Sequence, residues 1–161
     1  MVQDDRAEFE RQKAQSISDM AKDEAMFDAS LDLVLKSDKH RYSYVWTWMG
    51  VPIIQRPADV VALQEVIFEC QPDVIVETGV ARGGSVVYEA ALLQMIGKKD
   101  GLVIGVDIDI RAHNRDTIEK HPMAPHIRLI QGSSIAPEIV AQVRAMIPPG
   151  AKTMVVLDSN H

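Results

Sequence analysis

The sequence predicts an α/β fold, a Rossmann-like parallel sheet preceded by helices. Three observations carry that prediction. Four short apolar runs alternate with helix-length segments from residue 57 onward. The connections between them are short, which means βαβ units with right-handed crossovers and a parallel sheet. The first run also ends in a glycine-crowded turn, "VIVETGVARGGSVVY" (74–88), where Gly79, Gly83 and Gly84 fall within six positions and invite close approach to the backbone.

Taken in order, residues 4–36 read as one helix, with Phe9, Ile17, Met20, Phe27, Leu31 and Val34 near a single stripe that would pack on the domain or on a second subunit. In "RYSYVWTWMGVPIIQRP" (41–57), Tyr42, Tyr44, Trp46 and Trp48 alternate, so an extended chain would place half of the protein's aromatic residues on one face. They make either a wall that stacks on a ligand or a lid over the core, and the lid is the favoured reading. Residues 57–71 form a helix entered by Pro57. "DVIVET" (73–78) suits a buried parallel strand, and a helix over 85–97 ends at Gly97. A second strand covers 101–109, a helix 111–120, a third strand 126–132, a helix 135–146 and a fourth strand 153–158. The organisation expected is a helical and aromatic segment over 1–56 and a ligand-binding sheet domain over 57–161. The fourth strand, "TMVVL", lacks alternation and reads as a strand built for burial on both faces, so the chain is expected to self-associate into a homo-oligomer through residues 153–158 or the aromatic segment 42–48, or else to need a missing half.

Composition narrows the function. A net charge of -6 argues against nucleic-acid or membrane-surface binding, both of which need a basic face. The single cysteine, Cys70, fits a reducing compartment and reads as packing. No apolar run approaches the roughly 18 residues of a membrane span, and the charged N-terminus is no secretory signal, so a cytoplasmic location is expected.

The turn at 77–85 narrows the ligand. A phosphate-binding P-loop needs a lysine where Ser85 stands. A dinucleotide turn needs a second glycine where Ala81 stands. S-adenosylmethionine needs neither; it needs close backbone approach, a carboxylate near its cationic portion, for which Glu77 is placed, and an acid for its ribose hydroxyls. Asp107 and Asp109 end the next strand, where one carboxylate accepts from both hydroxyls.

Together, P-I-I-Q-x-P (52–57) and E-T-G-x-x-x-G-G-S (77–85) resemble the cephalosporin hydroxylase family, which takes in rhamnosyl O-methyltransferases. The resemblance runs from about residue 42 onward and implies a class I methyltransferase fold that uses S-adenosylmethionine. Several members need a divalent metal, which makes Mg²⁺ the expected ion. The cofactor contacts so implied fall on Glu77, Gly79, Gly83, Ser85 and Asp107, with Gly132, Ser133 and Ser134 facing the adenine. In "VVLDSNH", Asp158 resembles a metal ligand, and its place at the end of a strand that crosses to the far side of the first supports that over a loop cap. A metal ion there would lower the pKa of an acceptor hydroxyl. His161 is a candidate general base, Arg82 a candidate contact to acceptor or cofactor, and His113, His121 and His126 read as surface groups. The family has seven strands and a further acidic pair; this sequence supplies four strands and reads as cut after the fourth. The activity so implied is O-methylation of a small-molecule or sugar hydroxyl, with a cofactor-binding or assembly module, or a hydroxylase-type tailoring enzyme, as the alternatives.

Overall fold

The structure is a computed structural model that describes residues 4–159. It divides into two compact units, Met1–Tyr42 and Ser43–His161. The aromatic segment after Tyr42 thus goes with the sheet unit, whereas the sequence reading placed it with the N-terminal helices.

The first unit holds two helices where one is expected, α1 (Arg6–Met20) and α2 (Glu24–Asp38). The break falls at Asp23, whose side chain accepts a hydrogen bond from the Met26 amide (2.9 Å) and starts a new helix. A short acid that caps an amide three residues on competes with continued helix. The expected apolar stripe covers nothing within this unit: neither helix has a buried residue, and Phe9, Phe27 and Leu31 are all exposed.

A 3₁₀ turn (Tyr42–Tyr44) begins at the last residue of the first unit, and the second unit then forms an antiparallel hairpin of β1 (Thr47–Trp48) and β2 (Val51–Pro52). The aromatics therefore do not share an extended face. Only Trp48 turns onto the core, edge-on to Tyr88 with ring centroids 4.8 Å apart, while Tyr42 and Tyr44 are exposed. Helix α3 (Pro57–Cys70) follows, with Pro57 in its first turn.

Then come β3 (Val74–Thr78), α4 (Gly84–Met95), β4 (Leu102–Asp107), α5 (Ala112–Glu119), β5 (Ile127–Gln131), α6 (Pro137–Met146) and β6 (Thr153–Leu157). Every element expected after residue 57 forms within a few residues of its expected bounds. The four-stranded sheet runs β5-β4-β3-β6, all parallel, with Val74 opposite Leu102 on one side and Thr153 on the other. The fourth strand does cross to the far side of the first. One face of the sheet packs Ile75 and Val103 under Ile67, Val87, Leu93 and Ile118; the other packs Val76, Ile104 and Ile130 under Ile139 and Val143.

β6 departs from its expected burial. Met154 and Val156 pack against the core, but Val155 (58 % exposed) and Leu157 (68 %) face outward beside an edge that no strand among the described residues pairs with. Its apolar run is therefore half-satisfied in this chain. Consequently Val155→Lys should change stability by no more than about 0.5 kcal/mol, whereas Val156→Lys should cost about 2 kcal/mol or more by burying an unpaired charge. Urea denaturation of the two variants checks the difference.

Candidate functional site

Parallel pairing brings the carboxyl ends of β3, β4 and β6 to one edge. There the Gly79 amide donates to the Val106 carbonyl (2.8 Å) and the Asp158 amide to the Thr78 carbonyl (2.9 Å). Gly79 sits at φ +100°, and a Cβ on it would lie 2.1 Å from the Asp158 carbonyl oxygen. The chain passes so close to its neighbour that no side chain fits. Gly84 meets a similar limit, since its Cβ would lie 2.4 Å from the Pro52 carbonyl oxygen, which lets the hairpin cross the start of α4.

The turn is held from both sides. Asp107 accepts the Ala81 amide at Oδ2 (3.0 Å) and the Asp109 amide at Oδ1 (3.1 Å). Asn114 of α5, 7 % exposed, donates from Nδ2 to the Ala81 carbonyl (2.9 Å). These two bonds pin Ala81 at φ +46°, a left-handed conformation that costs a non-glycine residue energy. Asn114 was not singled out in the sequence; its only local sign is an amide in a short helix, and its partner lies 33 residues away.

A cleft of about 720 Å³ opens at this edge, lined among others by Gly79, Asp107, Gly132, Ser133, Ser134 and Asp158. Ile108 and Ile135 also line it and are largely exposed, so its mouth is apolar. Asp107 and Asp158 are the only charged side chains in the lining among the described residues. A cavity of about 130 Å³ adjoins it, sharing Gly79, Ala81 and Asp158 and adding Gln55, Gly83 and Ser85. Arg82 lines only this smaller space. A larger hollow of about 950 Å³ lies at the opposite edge, around Asp73, Lys98 and Pro148–Ala151. It sits at the amino ends of the strands, whereas open α/β sheets bind ligands beyond the carboxyl ends.

The structure therefore gathers Gly79, Asp107, Gly132, Ser133, Ser134 and Asp158 in one cleft, with Gly83 and Ser85 in the adjoining cavity. Asp109 stands outside both, its exposed carboxylate 3.7 Å from Arg111. His161 lies outside the described residues. No group of three or more His, Cys, Asp or Glu side chains arranged to hold a metal occurs among the described residues. His126 is half-buried and lies 3.2 Å from Gln94 Nε2, so it packs between elements.

Glu77 lines neither space. It points from β3 toward α4 and is fully buried, as is Glu89 of α4. Burial pushes the Glu77 carboxyl up to about 8; the nearby Ser85 hydroxyl opposes this, while Asp158 and Asp107 add to it. Burial likewise holds Glu89 well above the usual carboxylate range, with Glu77 and Asp158 adding repulsion. Glu89 was also missed in the sequence, although an acid four residues after Ser85 in an otherwise apolar stretch, "SVVYEAALL", was visible.

The family described as Rhamnosyl O-methyltransferase/CmcI matches residues 40–161. A rhamnosyl O-methyltransferase of Mycobacterium leprae (strain TN) is 30% identical over 135 residues, 79% of this chain and 56% of that protein. One of Mycobacterium tuberculosis (strain ATCC 25618 / H37Rv) is 31% identical over 135 residues, 76% of this chain and 51% of that protein. The chain thus spans about half the length of the curated relatives it matches. A solved structure of CmcI with Mg-SAM superimposes with a TM-score of 0.55 at 25% identity, covering 73% of this chain and 47% of that one. No helix among the described residues is long and apolar enough to cross a membrane.

Two outcomes follow from this geometry. Gly79→Val should destabilise the fold by about 3 kcal/mol or more, because both the φ and the space are denied to it; urea denaturation measures this. A carboxyl whose folded pKa is raised gives stability that is complete below the unfolded value and is lost as pH rises through the folded one. For Glu77 that window runs from 4.5 to about 8. Wild type should therefore lose stability over that range, and Glu89→Gln, which removes one buried acid, should lose less of it.

Proposed function

The chain belongs to the rhamnosyl O-methyltransferase/CmcI family, and on that premise we propose that it forms the cofactor-binding part of an O-methyltransferase that uses S-adenosylmethionine on a hydroxyl of a sugar or other small molecule. The observation that carries the reading is the charge of the cleft. Its charged lining consists of two acids, Asp107 and Asp158, with no lysine or arginine. A nucleotide phosphate would meet only like charge there, whereas a cationic ligand with a ribose and a flat base suits both the charge and the apolar mouth. The names of the similar proteins support a sugar hydroxyl as acceptor.

Bound in this cleft, S-adenosylmethionine would supply an electrophilic methyl group for in-line displacement by a hydroxyl oxygen. Asp107, already oriented by two amides, keeps lone pairs to accept from both ribose hydroxyls. Gly132, Ser133 and Ser134, with Ile108 and Ile135 at the mouth, would hold the adenine. Gly79 admits the amino-acid end because it carries no side chain. The chain's contribution to rate is positioning.

Asp158 is the carboxylate proposed for Mg²⁺. The described residues do not by themselves fit the ion, since no three ligating side chains converge. Mg²⁺ takes one or two carboxylates plus waters and substrate oxygens, so Asp158 alone gives a weak foothold. A cytoplasmic location belongs to the same reading, as does a homo-oligomer joined at the open β6 edge, where Val155 and Leu157 are exposed. A binding or assembly module without catalysis of its own is the second reading, and a hydroxylase-type tailoring enzyme the third.

Calorimetric titration should show S-adenosylmethionine binding and no micromolar binding of ATP or NAD. Asp107→Ala should weaken the cofactor by about 1.5–3 kcal/mol, the loss of hydrogen bonds to a charged group. Asp109→Ala should cost less than about 1 kcal/mol, as for an exposed ion-pair partner. Micromolar binding of ATP or NAD with none of S-adenosylmethionine contradicts the reading, and a methyl-transfer assay on hydroxylated acceptors separates enzyme from module.

A further inference from the structure

Three alternate residues of the turn between β3 and α4 take a left-handed backbone: Gly79 at φ +100°, Ala81 at φ +46° and Gly83 at φ +91°. The outer two are glycines for want of room. A Cβ on Gly79 would meet the Asp158 carbonyl oxygen, and one on Gly83 would lie 2.3 Å from the Ile118 side chain. Ala81 is exposed, so there is space for its side chain, but the backbone conformation still penalises one. Glycine would take the turn without that penalty. The chain carries the strained residue instead and holds it by two long-range hydrogen bonds. Asp107 Oδ2 accepts from the peptide that precedes Ala81 (3.0 Å), and Asn114 Nδ2 donates to the one that follows it (2.9 Å).

Ala81 also stands where the two ligand spaces meet. The cleft of about 720 Å³ and the cavity of about 130 Å³ have Gly79, Ala81 and Asp158 in common. Of these, only Ala81 brings an apolar side chain. Asp107 and Ser133 line the cleft alone, and Arg82 and Ser85 the cavity alone. A ligand that fills both spaces must cross this junction, whereas one confined to the cleft does not.

We propose that Ala81 is a specificity-determining residue for the part of S-adenosylmethionine beyond its ribose, and that Asn114 is a positioning residue acting through it. The inference rests on reading the cleft as an S-adenosylmethionine site. With adenine and ribose in the cleft and the amino-acid end in the smaller cavity, the sulfur-bearing chain crosses the junction at Ala81. The methyl group then acts twice. It gives the crossing chain an apolar surface, and it denies the turn the many backbone conformations that glycine would open. A turn already ordered in its binding conformation loses less freedom when the ligand arrives. Asn114, buried on α5, keeps that order from outside both spaces.

The test is titration of the full chain with S-adenosylmethionine, S-adenosylhomocysteine and adenosine, by calorimetry and, for adenosine, by amide NMR. Ala81→Gly keeps the fold, because glycine accepts this φ freely. It should bind the first two ligands roughly three- to tenfold more weakly, with adenosine within about twofold of wild type. Asn114→Ala should show the same split, and the double variant should lose little more, since both residues act on one turn. Equal weakening of all three ligands in Ala81→Gly, or unchanged affinity for S-adenosylmethionine, overturns the inference and leaves the cofactor reading standing. So does a failure of adenosine to bind wild type, because the division at the junction is then lost. Equal weakening of all three in Asn114→Ala overturns its positioning role. Absence of binding of all three ligands to wild type overturns the cofactor reading and this inference with it.

Discussion

Asp107 and Asp158 reach the same cleft because β4 and β6 pair in parallel with opposite edges of β3, in a register that ends all three strands together. That register is the constraint on which the site depends. It places Thr78 opposite Val106 and Leu157, so the acids one residue beyond flank Gly79. A slip of one residue would turn every strand side chain to the other face and scatter the acids. It also explains the bare glycine, since strands that finish level at adjacent positions leave no room between Gly79 and the Asp158 carbonyl.

The cleft's electrostatics follow from the same arrangement. β4 ends at Asp107 and β6 runs into Asp158, while Arg82, the basic side chain of the turn between β3 and α4, lines only the smaller cavity. Asp107 and Asp158 both line the cleft, where a ligand reaches them. The buried acids, Glu77 and Glu89, are held toward the neutral form by burial, with the Ser85 hydroxyl opposing this at Glu77. One edge of the sheet thus carries two kinds of carboxyl, set apart by burial.

The sheet unit was largely legible in the sequence because its signals are local. "DVIVET" and "GLVIGVD" read as buried parallel strands, Pro57 opens α3, and Gly97 follows α4. The same is true of the cleft acids, since Asp107 and Asp158 each follow an apolar run. What escaped depended on partners distant in sequence or on competing local bonds. The Asp23 cap that splits the N-terminal helix competes with a periodicity running straight through it. The aromatic alternation failed because the chain turns at Tyr42–Tyr44 and again between Trp48 and Val51. Asn114 gains its role only from Ala81, and Glu89 only from facing Glu77 across the sheet–helix interface. Asp109 lies two residues beyond Asp107 and is the lesser candidate in the sequence; the strand ends at Asp107, and the Asp109 carboxylate lies 3.7 Å from Arg111.

The central claim is that the ligand site lies at the carboxyl edge of the sheet and takes S-adenosylmethionine or its demethylated product. Amide NMR of the chain titrated with S-adenosylhomocysteine tests it most directly, because the two edges carry different residues. The account predicts shifts at Gly79–Ala81, Asp107–Ile108 and Gly132–Ser134, with Lys98–Gly101 and Gly150–Ala151 unmoved. Shifts confined to the hollow around Lys98 and Gly150, or none at saturating ligand, would contradict it.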